Sequence, residues 1–251
     1  MKESSIQPII SVRNLEARYG ETVILKDVDV DIYPNEITVI LGGSGCGKTT
    51  LLKNILRLQE PSAGEVRIFG ENVLGMDEAG FRGILRQVGM LFQGGALMNS
   101  LSVYDNISIP LEQHTRLNAR VRDRIIRAKL HLVRLDHALH LNPAELSGGM
   151  KKRVALARAM VLDPRILFCD EPSAGLDPLT SAALDDLIIN LKRQLNMTIV
   201  VVTHELASIH RIADRIIFLD SGSVLYQGSL QAAKQAHIPA IDTFFASGKY
   251  D

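Results

Sequence analysis

Gly42-Gly43-Ser44-Gly45-Cys46-Gly47-Lys48-Thr49 lies between a short apolar run, Ile37-Thr38-Val39-Ile40-Leu41, and the helix-forming stretch Leu51-Leu52-Lys53-Asn54-Ile55-Leu56. A β-branched apolar run of this length predicts a buried strand, so the octapeptide is a loop joining strand to helix. Its glycines allow main-chain N–H groups to crowd around an anion at the positive end of a helix. In such a loop Lys48 reaches the β- and γ-phosphates and the Thr49 hydroxyl can ligate Mg²⁺. The expected ligand is therefore a nucleoside triphosphate with magnesium. The competing reading is an ordinary glycine-rich turn that caps a helix.

Two further stretches bear on that choice. Ile166-Leu167-Phe168-Cys169-Asp170-Glu171 is an apolar strand ending in two carboxylates. A buried strand there would aim Asp170 at the Mg²⁺ shell and leave Glu171 just beyond, where water can attack the γ-phosphate. The alternative is an acidic turn before Pro172. Leu146-Ser147-Gly148-Gly149 precedes a strong helix from Lys151 to Met160. Ser147 can donate to phosphate and the glycines expose main-chain N–H groups, yet Ser at that place is also an ordinary helix cap.

Composition narrows the class. The chain has 251 residues, which suits one large α/β domain or a core with an inserted subdomain. Lys and Arg total 28 and Asp and Glu total 28, so net charge makes no case for nucleic acid. No stretch approaches the roughly 20 apolar residues of a membrane helix, and the N-terminus lacks a signal-peptide apolar core. An intracellular protein is expected, with membrane association through a partner. The two cysteines, Cys46 and Cys169, make no disulfide framework. Both lie inside the nucleotide motifs, as small packed side chains or, alternatively, as a redox switch.

Along the chain, Ile9 to Tyr19, Val23-Ile24-Leu25 and Val28 to Tyr33 read as strands, and Glu65 to Phe69 as an edge strand. Val88 to Phe92 is a short apolar strand. From about Gly94 to Met160 the pattern is helical, with Val121, Ile125, Leu132 and Leu135 at helix spacing. Strands at Arg165 to Cys169, Met197 to Val202 and Ile216 to Leu219 follow, with an amphipathic helix marked by Leu184, Leu187, Ile188, Leu191 and Leu195. Apolar strands alternating with helices predict a parallel sheet covered on both faces.

With these residues in place, the chain resembles the nucleotide-binding subunits of ABC transporters. Gly42 to Thr49 matches Walker A, Leu146 to Gly149 the signature, and Ile166 to Asp170 Walker B followed by Glu171. Ser173-Ala174-Gly175-Leu176-Asp177 resembles the D-loop, Gln93 the Q-loop, His204 the switch histidine and Tyr19 the aromatic that stacks on adenine. The motifs occur once each, in family order, from about Ile9 to Gly228. The resemblance implies an α/β P-loop NTPase core with a mainly parallel sheet, an N-terminal antiparallel β subdomain and an inserted α-helical subdomain. The implied segments are a core at 1–93 and 161–235, a helical subdomain at 94–160 and a tail at 236–251. It also implies a head-to-tail homodimer in which each ATP lies between one copy's Walker A and the other's signature loop. By that analogy Gly42, Gly43, Ser44, Gly45, Cys46, Gly47, Lys48, Thr49 and Thr50 bind the phosphates. Thr49, Asp170 and Gln93 attend the metal, Asp170 through water. Glu171 polarises the attacking water, His204 contacts the γ-phosphate, and Ser147, Gly148, Gly149 and Asp177 belong to the nucleotide site.

Finer features resemble one subgroup. Gln93 to Ile107, and Met150-Lys151-Lys152-Arg153-Val154 after the signature, are similar to ATPases of MCE-type lipid transporters, including the Mla phospholipid-trafficking system of diderm bacteria. Most importers carry Gln where Met150 stands. The tail Asp242-Thr243-Phe244-Phe245-Ala246-Ser247-Gly248 is similar too. That resemblance implies a membrane permease at the cytoplasmic face of the inner membrane, a periplasmic MCE lipid-binding protein and a small STAS-domain regulator. It implies powering of phospholipid movement between inner and outer membranes. Leu97, Met98, Leu101, Val103 and Tyr104 are expected either to line a groove for a short permease helix or to pack within the subdomain. Ile238, Ile241, Phe244 and Phe245 are apolar at helix-like spacing, so the tail packs back on its own core or binds a neighbour.

Other readings carry less. His131, His137 and His140 have no Cys nearby and scattered carboxylates, which argues against zinc. The arginines from Arg120 to Arg134 suit a solvated face or contact with anionic lipid or permease loops; no aromatic platform for nucleic acid lies among them. An importer of amino acids or metals is the nearest alternative. A soluble ABC ATPase of translation or repair lacks support, having neither a second cassette nor a long coiled coil here. Glu171 and His204 argue against a regulator that does not hydrolyse ATP.

Overall fold

The computed structural model describes residues 7–246; residues 1–6, and Ser247 and Gly248 of the tail motif, lie outside them. In chain order the elements begin with β1 (Ile10–Tyr19), β2 (Thr22–Ile32), β3 (Ile37–Gly42), α1 (Lys48–Ile55), β4 (Ala63–Ile68), β5 (Glu71–Asn72) and α2 (Glu78–Leu85). Next come β6 (Val88–Leu91), α3 (Val103–His114), α4 (Ala119–Leu132), α5 (Gly148–Ala159), β7 (Ile166–Asp170) and α6 (Pro178–Leu195). The last are β8 (Thr198–Val202), α7 (Leu206–Ile212), β9 (Arg215–Asp220), β10 (Ser223–Ser229), α8 (Leu230–Gln235) and α9 (Pro239–Ala246). The chain forms two compact units, residues up to 82 with those from 200 onward, and residues 83–199. The pairing of β6 with β7 and the close seat of α5 on β6 keep those two strands with the helices.

In the first unit an antiparallel sheet has the order β2-β1-β4-β5. Buried and exposed residues alternate along much of β1 and β2, as in a sheet with one wet face. Two expectations change here. The runs read at Val23 to Leu25 and Val28 to Tyr33 fall in one strand, β2, which ends at Ile32, because Asp27 at φ 51° absorbs a bulge instead of ending it. The strand read at Glu65 to Phe69 is not an edge, because the two-residue β5 pairs along its outer side.

In the same unit β3 runs parallel to β9, from Thr38 opposite Arg215 to Gly42 opposite Leu219, and β10 pairs antiparallel with β9. All six residues of β3 are buried. This fits the continuous apolar run that predicted a strand covered on both faces. Strand β8 crosses the unit boundary, and just past it the Thr203 N–H donates to Ile40 O at 3.3 Å.

The tail question is answered within this unit. Helix α9 packs back on its own core: Ile241 is fully buried, the Phe244 ring meets Phe218 edge-on at 5.4 Å, and Phe245 stacks on His210 at 5.2 Å. Filling a fully buried site with a smaller side chain leaves a cavity. Ile241→Ala is therefore expected to cost about 2–5 kcal/mol, read as a lower unfolding midpoint in thermal or denaturant melts. An unchanged midpoint would mean that α9 is not docked.

In the second unit β6 runs parallel to β7, from Val88 opposite Ile166 to Leu91 opposite Cys169. Helix α5 passes so close that a Cβ at Gly89 would lie 2.3 Å from Ala159 O. The helices start at side-chain caps. Ser102 and Asp105 form a capping box at α3, Asn118 caps α4, Ser147 caps α5 and Asp177 caps α6. The face of α4 differs from the expected one. Ile126 and Leu130 are buried with Val133 just after them, whereas Val121 is exposed and Leu135 lies beyond the helix end. Lys129 joins the buried face by pairing with Asp163. An apolar count along the sequence could not foresee a buried lysine.

Candidate nucleotide site

The phosphate loop begins where β3 ends. Gly42 is buried, Gly43, Ser44 and Gly45 are exposed, and Cys46 and Gly47 turn back into the core. Gly47 sits at φ 105°, and a Cβ there would lie 2.5 Å from Leu25 Cδ2 of β2. Only glycine serves, because the loop must turn left-handed hard against the antiparallel sheet. Gly47 caps α1 without any side-chain hydrogen bond, so the first N–H groups of α1 keep no side-chain partner. At Gly43 and Gly45 an added Cβ would meet no protein atom within 4 Å. A concave run of main chain facing open space at a helix start fits an anionic, phosphate-bearing group.

Lys48 curls over this loop. Its ammonium donates to Gly42 O and Gly43 O, both at 2.8 Å. Carbonyls hold the charge in place over the cradle, where phosphate oxygens would compete for the same donors. Thr49 is exposed at the first turn of α1, whereas Thr50 is buried and its carbonyl accepts from Asn54 Nδ2 at 2.7 Å. Thr50 thus presents main chain rather than a free side chain. His204 is exposed one residue past the Thr203 bond to β3, in a turn where Thr203 Oγ1 accepts from Glu205 N at 3.1 Å. The histidine and the phosphate loop therefore leave the carboxyl ends of neighbouring strands, where α/β sheets bind ligands. Tyr19, at the end of β1, is 54% exposed.

The remaining predicted residues belong to the second unit. Gln93 follows β6, and Asp170 and Glu171 end and follow β7, so the parallel pairing brings all three to one end of adjacent strands. Glu171 has φ 44°, a left-handed conformation that costs a non-glycine residue energy and concentrates at functional sites. The Ser147 hydroxyl accepts from Met150 N at 3.2 Å. The helix-cap reading of Ser147 is thus realised, and it leaves the O–H proton available for another acceptor. A Cβ on Gly149 would lie 2.5 Å from Thr180 Cγ2, so α5 starts close against α6 and a larger residue would have to displace that side chain. Gly148 lies beside Leu176. Asp177 spends its carboxylate on its own helix, accepting from Leu179 N, Thr180 N and Thr180 Oγ1. The Thr180 hydroxyl bond is the main cause of its lowered pKa. In the structure Asp177 is a cap.

Neither cysteine is paired, and both are buried. Burial pushes the Cys169 thiol up to about 12, against the opposing charge of Lys152. Such a thiol carries almost no thiolate and is inert. No group of three or more His, Cys, Asp or Glu suited to a metal occurs among the described residues.

Sequence reasoning missed three residues that hold this unit's loops. Lys152, inside α5, donates to Gln93 O and to Glu171 O. The Arg158 guanidinium donates to Gly95 O and Ala96 O at 2.7 and 2.8 Å. Asn106 is fully buried and binds main chain at Met98, Leu101 and Ser102. The only available signal was a polar residue on an otherwise apolar helix face.

The ABC transporter family model matches residues 25–174, a span that holds the stretches resembling Walker A, the Q-loop, the signature and Walker B. This chain belongs to the ABC transporter family. It is 37% identical to the intermembrane phospholipid transport system ATP-binding protein MlaF of Escherichia coli K12, over 96% of this chain and 90% of that protein. It is 36% identical to the methionine import ATP-binding protein MetN of Clostridioides difficile, over 89% of this chain and 69% of that protein. Among solved structures, cbiO1 of Clostridium perfringens superposes with a TM-score of 0.83 at 26% identity, covering 96% of this chain and 99% of that one. The dimeric cassette MJ0796 bound to ADP and Pi gives a TM-score of 0.80 at 31% identity, covering 88% and 98%. The α/β P-loop NTPase fold is thereby established, and the chain is an ATP-binding, ATP-hydrolysing cassette of a transporter that uses ATP and Mg²⁺. Among the described residues no helix is long and apolar enough to cross a membrane.

Proposed function

We propose that this cassette powers phospholipid trafficking between inner and outer membranes, working through a separate permease at the cytoplasmic face of the inner membrane. The observation that carries this reading is Met150-Lys151-Lys152 after the signature, which departs from the importer pattern. The likeness to MlaF over nearly the whole chain supports it. A methionine or other small-solute importer is the second reading, favoured by the comparable identity to MetN. The test is to purify the chain with its native membrane partners and to identify subunits and bound lipid. A permease, an MCE protein and a STAS protein with bound phospholipid are expected. A solute-binding protein, or methionine-stimulated ATP hydrolysis, would select the importer.

In this proposal Lys48 and the loop N–H groups hold the phosphates, and Tyr19 stacks on adenine. Thr49, Asp170 and Gln93 hold Mg²⁺, which when bound neutralises charge on the phosphates. Glu171 polarises the attacking water and His204 contacts the γ-phosphate. Ser147, Gly148 and Gly149 of a second copy complete the site in a head-to-tail homodimer; MJ0796 is a dimeric cassette. Residues 94–160 act as the helical subdomain.

The same unit carries a surface groove of about 390 Å³, lined by Leu85, Phe92, Met98, Ile109, Pro110 and His114 among others. Of the five residues expected from sequence to line a groove, only Met98 does, and Val103 is packed inside the core. Phe92 is 42% and Met98 51% exposed, an apolar surface that suits a short permease helix. Met98→Asp would place an unpaired carboxylate in that contact and is expected to weaken assembly with the permease about tenfold or more. ATP hydrolysis by the isolated chain should be unaffected. Undiminished co-purification of the permease would remove the groove from the proposal.

A further inference from the structure

Lys152 is a charged side chain almost wholly withdrawn from water, at 7% exposure. It sits in α5, and its ammonium donates to Gln93 O, 59 residues away, and at 3.2 Å to Glu171 O, 19 residues away. Those carbonyls belong to the segments that leave the carboxyl ends of β6 and β7, which pair in register with Leu91 opposite Cys169. The same helix holds the next part of the Q-loop through Arg158 on Gly95 O and Ala96 O. Helix α5 therefore begins at the signature serine and clamps the Q-loop at two levels, and at the upper level it also holds the peptide that carries Glu171.

A buried lysine is costly unless the charge does something that a neutral residue would not. Here one ammonium, with three donors, serves two main-chain acceptors through charge-assisted bonds that are stronger than neutral ones. Glu171 lies at φ 44°, so its side-chain direction depends on how that strained peptide is held. Gln93 opens the segment that runs on to Met98 at the surface groove. We propose that Lys152 is a positioning residue. It locks the Q-loop main chain to the Glu171 peptide, so that a displacement of the Q-loop alters the aim of the water-polarising carboxylate. This rests on the roles given above to Gln93 and Glu171.

The experiment compares ATP hydrolysis, over a range of ATP concentrations, by the full chain and by Lys152→Met, Lys152→Arg and Glu171→Gln, with thermal melts of each. Methionine fills the volume and donates nothing. A misplacement of about 1 Å at a reacting group can cost roughly 10²-fold. Lys152→Met should therefore lose between about tenfold and 10²-fold in kcat with KM for ATP unchanged, and Lys152→Arg should recover most of it. A merely structural lysine predicts a lower melting temperature with wild-type kcat in the folded variant, and that result overturns the proposal. So does a loss confined to KM. If Glu171→Gln is slow while Lys152→Met is not, the positioning role alone fails. If Glu171→Gln hydrolyses at the wild-type rate, the assignment of the base fails and the positioning role with it. Should Lys152→Met not fold, Lys152→Gln takes its place under the same criteria, since it keeps an N–H donor but neither the charge nor the length.

Discussion

Glu171→Gln is expected to leave ATP bound while slowing hydrolysis by about 10²–10⁴, the usual worth of a positioned general base. The substitution keeps shape and volume. It also spares the local architecture, because the bond from Lys152 goes to the Glu171 main-chain carbonyl and the left-handed turn at φ 44° is a backbone feature. The loss should therefore appear in kcat and not in folding or nucleotide affinity. A cassette that binds but does not cleave should accumulate as the ATP-bound dimer, visible by size exclusion in the presence of Mg-ATP. Wild-type turnover by this variant would show that another group activates the water.

The second large effect is at the phosphate loop. Lys48→Ala should weaken Mg-ATP binding by about 10²-fold and abolish hydrolysis at ordinary nucleotide concentrations, since charge-assisted contacts to phosphate are each worth roughly 1.5–3 kcal/mol. Among the described residues Lys48 hydrogen-bonds only the loop's own carbonyls, Gly42 O and Gly43 O, and the more distant Cys46 Sγ. Removing it should cost little in stability, so an unchanged melting curve with lost binding is the expected pair of results. A binding titration gives the affinity directly. Retained affinity would mean that the main-chain N–H groups and the start of α1 suffice to hold the triphosphate.

The two variants separate the two units. Lys48 and His204 belong to residues outside 83–199, whereas Gln93, Ser147, Asp170 and Glu171 belong within them. A loss of affinity should follow changes in the first set and a loss of turnover changes at Glu171. Lys152 joins the second set: its place after the signature was visible in the sequence, but its hold on the Gln93 and Glu171 carbonyls was not.

Much of this was legible before any coordinates. The strands β1, β3, β7, β8 and β9 fall within a residue or two of their apolar runs, because a buried strand leaves a continuous apolar signature. The phosphate loop and the acidic end of β7 were readable because glycines, a lysine and adjacent carboxylates at fixed spacing have few other uses. The α4 face was misjudged because Lys129 is buried through an ion pair with Asp163, a partner 34 residues away. Leu97, Met98, Leu101, Val103 and Tyr104 were expected to line a groove or to pack within the subdomain; Met98 lines one and Val103 is buried, a division that their spacing alone does not decide. The tail's helical spacing was visible, but its docking was not, since Phe218 and His210 reach it only through the fold.

The amino-acid order alone determined the class of the molecule and its ligand, because those depend on local spacing and on the chemistry of individual side chains. The tertiary structure decided which helix holds which loop. It made Ser147 and Asp177 caps, seated α9 on its own core and sent Lys152 beneath two carbonyls from distant segments. Such long-range pairings leave no local pattern, since a carbonyl oxygen is present at every residue and only folding selects which of them a buried ammonium will meet.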